Sequence, residues 1–195
     1  MPNGDNLRRE AEEALEDARR LRTELTEGLL NDLGAIEATA RDDREHRQIA
    51  DDLERTRNRA LELLDRINHL LARIQKRPEP LEIARGGEIG FHLTTLASEL
   101  QAELEWLKAI IEQLNVMIKQ PGAASPWFVS KVAQSVQAAL TTIRLSLMPL
   151  LRKFLAKLWS IISHLLTPKE WKLKGKVGNT VLGLAEAEIE ITFGP

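Results

Sequence analysis

The chain has 195 residues, 43% apolar and 29% charged, with a formal net charge of −2. That composition supports a folded core of one domain or a domain with an appendage, and excludes a bulk electrostatic case for nucleic-acid binding. With no cysteine there is no disulfide framework, no thiolate metal site and no cysteine nucleophile. The opening MPNGDNLRREAEEALEDARR lacks the apolar core of a secretory signal. The uncharged stretches 158–168 and 132–143 are too short to span a bilayer. The expected location is the cytoplasm, with peripheral attachment to a membrane as a variant.

The pattern predicts a first helix over 5–40. Leu7, Ala11, Ala14, Ala18, Leu21 and Leu25 alternate spacings of four and three, which sets them on one stripe. Asp5, or alternatively Asn6, is the expected N-cap, and Gly28 and Gly34 weaken the later turns. Residues 43–77 repeat the pattern without a break, through Ile49, Leu53, Thr56, Ala60, Leu63, Ile67, Leu70 and Ile74. So regular a seam implies bundle or coiled-coil packing. Arg77-Pro78-Glu79-Pro80 ends it.

Residues 78–92 read as a connector rich in glycine and proline, with a short strand at Leu81–Ala84. A third helix is expected from about Leu93 to Lys119, ended by Pro121-Gly122. Ser125-Pro126 then caps and opens a fourth helix, 127–166, which Pro149 should kink or divide. The tail changes period. Trp171, Leu173, Gly175 and Val177 alternate with lysines, and Ala185, Ala187, Ile189, Ile191 and Phe193 alternate with glutamates and a threonine. Period two is the strand signal, so a hairpin is expected, docked on the bundle because a lone hairpin is marginal in water. The expected fold is mainly α: an elongated four-helix bundle with a C-terminal β-hairpin. Three amphipathic helices fill 1–120, the apolar basic helix 121–168, and the hairpin 169–195.

Motifs for catalysis are weak. Neither Lys174–Thr180 nor Arg85–Gly90 has the spacing of a phosphate or dinucleotide loop. His46, His69, His92 and His164 share no metal-ligand spacing. Arg41–Arg59 holds six arginines against six acids, a salt-bridged helix surface rather than a phosphate-binding one. No enzyme activity, cofactor, metal or nucleic-acid partner is expected.

Charge distribution gives the sharpest functional signal. Residues 1–77 carry 18 acids and 15 bases, whereas 113–169 carry seven bases and no acid. Within that run LSLMPLLRKFLAKLWSIISHLL is a basic amphipathic sequence with phenylalanine and tryptophan, the composition of helices that lie in a membrane interface. A helix central to the bundle, or one seated in a partner groove, are the other readings, and a helix stored and later released would join the first two. The layout also resembles, at the level of fold and without a shared motif, the membrane-disrupting four-helix domains of mixed-lineage-kinase-like pseudokinases. The expected function is a non-enzymatic effector or peripheral membrane module acting through 127–166. Its contact residues would be Arg144, Arg152, Lys153, Phe154, Lys157 and Trp159, facing an anionic membrane surface or partner helices. The alternative is a soluble adaptor or scaffold, with homo-oligomers among its forms, that binds through its long charged helices.

Overall fold

A computed structural model describes residues 3–76 and 83–166, and in the tail the backbone of 175–177 and 187–189. The molecule is mainly helical. Its helices are α1 (Asn3–Thr23), α2 (Leu30–Asp42), α3 (Arg47–Lys76), α4 (Ile83–Lys119), α5 (Pro126–Thr142) and α6 (Met148–Leu165). A π-helical turn, Glu24–Gly28, joins α1 to α2, and a second, Ile143–Leu147, joins α5 to α6. Four rods result: α1–α2, α3, α4 and α5–α6. Each packs on two others, α3 on the first rod and on α4, and the fourth rod on α4 and back on the first. The start of the first rod meets the end of the fourth, so this pair runs antiparallel.

The seam read from 49–74 is where the core forms. Leu53, Ala60, Leu63, Ile67 and Ile74 are fully enclosed, and they meet stripes from α1, α4 and α6 in a single apolar cluster. Leu63 and Leu64, or Leu70 and Leu71, are buried in pairs, which widens the face beyond a two-position stripe. The α2–α3 turn carries its own lock. His46 is buried, stacks on Phe128 at 4.2 Å between ring centroids, and has Nδ1 3.1 Å from Asp43. At the same end Ser125 caps α5, accepting a hydrogen bond from the Phe128 N–H at 3.1 Å, with Pro126 in the first turn.

Three expectations need correction. The first helix starts at Asn3, so Asp5 sits in its first turn and is not its cap. The third helix starts at Ile83, not Leu93, and Ile83–Ala84 is helix where a strand was expected; Leu81 lies outside the described residues. Gly86, Gly87 and Gly90 are all buried inside α4. A Cβ on Gly90 would stand 3.2 Å from the Leu166 side chain and 3.5 Å from Leu165 Cβ, so the glycine lets α4 approach the end of α6. Tertiary packing there overrides the turn-forming tendency of the residue. Pro149 does divide the fourth helix, by a defined device: it occupies the first turn of α6, directly after a π turn. Its missing N–H falls where the helix has already changed its bonding pattern.

In the tail, Gly175–Val177 pairs antiparallel with Ala187–Ile189, Lys176 opposite Glu188. The rest of the expected hairpin, and its docking on the bundle, lie outside the described residues.

Candidate functional site

Helices α1 and α6 meet along a polar ladder. Glu10, Glu13 and Asp17 recur at spacings of three and four on α1, and Lys153, Lys157, Ser160 and His164 recur likewise on α6. Running antiparallel, they match rung by rung. Lys153 Nζ lies 3.0 Å from Asp17 Oδ1, and Lys157 Nζ lies 2.8 Å from Asp17 Oδ2 and 3.3 Å from Glu13. The Ser160 hydroxyl donates to Glu10 at 3.1 Å, and His164 Nδ1 is 3.4 Å from the same carboxylate. Asp17 is 2% exposed, so this is an enclosed carboxylate held between two ammonium groups. Burial pushes its pKa up, but Lys157 and Lys153 outweigh that and hold it below the ordinary 3.8. For Lys157 burial acts downward, and the two carboxylates outweigh it and raise the ammonium above 10.5.

The six candidate contact residues therefore separate. Phe154 is fully enclosed in the core. Lys153 and Lys157 face α1, and Arg144 bonds Glu112 of α4 at 2.7 Å. Arg152 and Trp159 stand on the outside, and among the described residues Arg152 has no carboxylate within ion-pair distance. The acids that answer Arg144, Lys153 and Lys157 thus sit on α1 and α4, outside this rod.

A different surface feature was not part of the sequence reading. Phe91, Trp106, Val116, Trp127, Leu145 and Trp159 are large apolar side chains left exposed, all on the third and fourth rods; among the described residues Leu30 is the one such residue on the first two. Along α4 the outward positions Phe91, Thr95, Ser98, Ala102, Trp106, Ala109, Gln113 and Val116 carry no charge. Their spacings of three and four are those of a packing seam. The fourth rod has a similar outward stripe: Leu145, Pro149, Arg152, Ala156, Trp159 and Ser163. Trp106 is 51% exposed and Trp159 37%, an unusual placement for residues that dominate interfaces. The signal was present in the sequence as a second uncharged stripe beside the core stripe of α4.

An open groove of ≈ 690 Å³ between α3 and α4 has Leu70 and Leu96 among its lining, with His69, His92, Glu62 and Glu99 around them. Glu62 and Glu99 are both engaged by Arg59, at 3.1 and 3.0 Å. Among the described residues no group of three or more His, Asp or Glu side chains is placed to hold a metal ion. Glu37 of α2 is 6% exposed, with Arg57 3.7 Å away; burial raises its pKa above 4.5, against the opposing pull of Arg57 and Arg41.

No described helix is long and apolar enough to cross a membrane. A scan of protein-family models, a search of curated proteins and a search of solved structures each find no match to the chain.

Proposed function

We propose that this chain is a non-enzymatic interaction scaffold that presents the outer faces of α4 and α5–α6 to other helices. One observation carries the reading: two tryptophans, a phenylalanine, a valine and a leucine stand exposed on two adjacent rods, on stripes spaced as helix-packing seams, and Trp127 is exposed on the second of those rods. Such surfaces mark association sites when they recur on one side of a soluble fold. The pairing of Lys153 and Lys157 with α1 and the burial of Phe154 argue for protein partners over lipid, because those groups are already satisfied. The charged faces named in the sequence reading, on α1–α3, are laced by their own ion pairs and serve solubility instead.

A peripheral membrane role is the second reading. It rests on Leu145, Arg152 and Trp159, exposed together in an acid-free run. A hairpin over 169–195, if it docks, would add to the scaffold and does not alter the choice between the readings.

Photo-crosslinking residues placed at Ala102 and Ala156, with Asp51 and Glu62 as controls, test both readings in cells that produce the chain. All four positions are exposed. Protein adducts from the first pair and not from the controls are the expected result. Lipid adducts from Ala156 would put the membrane reading first. Equal yields from all four positions would overturn the scaffold.

A further inference from the structure

The two outward stripes differ in the charge that borders them. Beside the uncharged stripe of α4 lie Glu88, Glu99, Glu103, Glu105 and Glu112, with Lys108 as the base among them. The stripe on α6 is bordered by Lys153 and contains Arg152, in a rod without a single acid. Two α4 faces brought together would set glutamates against glutamates, and two α6 faces would set bases against bases. An α4 face against an α6 face joins opposite charges.

We infer that a second copy of this chain is the occupant, its fourth rod packed antiparallel along the outer face of α4. The inference rests on the scaffold reading above and names its partner. The spacing of the large and small residues fixes the register. Ala102 and Trp106 stand four apart on α4, and Ala156 and Trp159 three apart on α6. Laid antiparallel, Trp159 of one copy falls beside Ala102 of the other, and Trp106 beside Ala156, so each indole covers a methyl group and meets no second ring. The same register brings Leu145 beside Val116, the two of them 76% and 53% exposed in the single chain. It also brings Arg152 opposite Ala109, between Glu105 and Glu112 of the other copy. Apolar, small–large and charge matching thus agree on one alignment.

Because the contact uses different faces on the two copies, it is heterologous, and the assembly keeps one unused face of each kind, at opposite ends, unless it closes. That predicts a behaviour specific to this pairing. A chain carrying Trp106→Glu loses the α4 face and keeps the α6 face. A chain carrying Arg152→Glu and Ala156→Glu loses the α6 face and keeps the α4 face. All three positions are exposed, so both variants should melt within about 0.5 kcal/mol of the wild type.

Sedimentation velocity over a wide concentration range reads the outcome. The wild type should associate, and more strongly at low salt. Each variant alone should sediment as a monomer, with association weakened about tenfold or more. An equimolar mixture of the two should recover a 1:1 pair and nothing larger, since one intact α4 face meets one intact α6 face. A monomeric wild type at all concentrations overturns the inference. So does a mixture that stays monomeric, and so does a variant that still associates by itself, which would indicate like-with-like pairing. If the wild type is monomeric while Ala102 still crosslinks to other proteins in cells, the self-pairing fails and the scaffold reading stands. If Ala102 also gives no protein adducts, both fail.

Discussion

Helices α3 and α4 pack against each other and bury equivalent stripes, yet their outer faces have little in common. On α3 the outward residues Asp51, Arg55, Asn58, Glu62, Asp65, His69, Arg73 and Lys76 include six that carry full charge. On α4 the eight outward residues at the same spacings carry none. The inner requirement is the same for both, since each must supply a stripe of leucine, isoleucine and alanine to one core. The outer requirement differs. Alternating charges on α3 are joined within the helix and across to α1, as in Arg59–Glu62, Arg55–Asp52 and Arg22–Asp65, and they discourage association. A face with no charge and an exposed tryptophan favours it. The core therefore says how the chain folds, and the difference between the outsides says where it meets something else.

The largest expected effects fall where the two halves agree. Phe154→Ala should destabilise by about 3–5 kcal/mol, and Leu63→Ala by about 2–5 kcal/mol, because both side chains are fully buried. Denaturant melts measure this. A loss under about 0.5 kcal/mol for Phe154→Ala, the range of a surface site, would return that residue to the outer face and reopen lipid contact.

Next comes the ladder that ties the fourth rod to the first. Asp17→Asn should cost about 1–3 kcal/mol at neutral pH, the range for hydrogen bonds to charged groups. The folded pKa of Asp17 lies below 3.8, so its contribution is complete above that value and disappears as pH falls through the lower folded one. The gap between wild type and variant should therefore close in strong acid. Lys157, raised above 10.5, loses its share at the alkaline end, as pH rises through its raised value. Glu37 acts in the opposite sense to Asp17: its raised pKa disfavours the charged form, so protonation relieves rather than weakens the fold. A gap that does not change between neutral and strongly acidic pH would show that Asp17 is not held by the two lysines.

Smaller still is Gly34→Ala in α2. Nothing lies within 4 Å of the added methyl, so the change should raise stability by about 1 kcal/mol through helix propensity alone. The smallest effect belongs to the outer face. Arg152→Gln should leave the melt within about 0.5 kcal/mol of wild type. The comparison sharpens if Lys153→Gln, one residue along, shifts the melt clearly further, because Lys153 holds Asp17 and Arg152 has no ion-pair partner among the described residues.

Much of this was legible in the sequence, for reasons that can be named. The seam from Leu53 to Ile74 reads directly because hydrophobic period and helix period coincide over many turns without glycine or proline. The start of α4 was hidden because Gly86, Gly87 and Gly90 look like turn residues, and only the approach of Leu166 explains a glycine there. The acid-free run was visible, but its counter-charges were not. Asp17 is 136 positions from Lys153, and no local pattern reports a pairing that distant. A run of one sign points, by sequence alone, to an external partner, whereas Arg144, Lys153 and Lys157 are answered inside the molecule.

The two π turns face each other. Glu24–Gly28 and Ile143–Leu147 lie at one level of the antiparallel first and fourth rods, where the methyl group of Thr142 would stand 3.8 Å from a Cβ on Gly28. Each turn takes up one residue more than an α-helical turn of the same rise. Each surplus is absorbed within its own rod, so Asp17 meets Lys153 above the turns while α2 stays in step with α5 below them. In genetic terms each turn is an insertion healed where it occurs. Deleting one residue from either turn would leave an α-helical turn of the same rise, and both halves of that rod would keep their phase instead of rotating by about 100°.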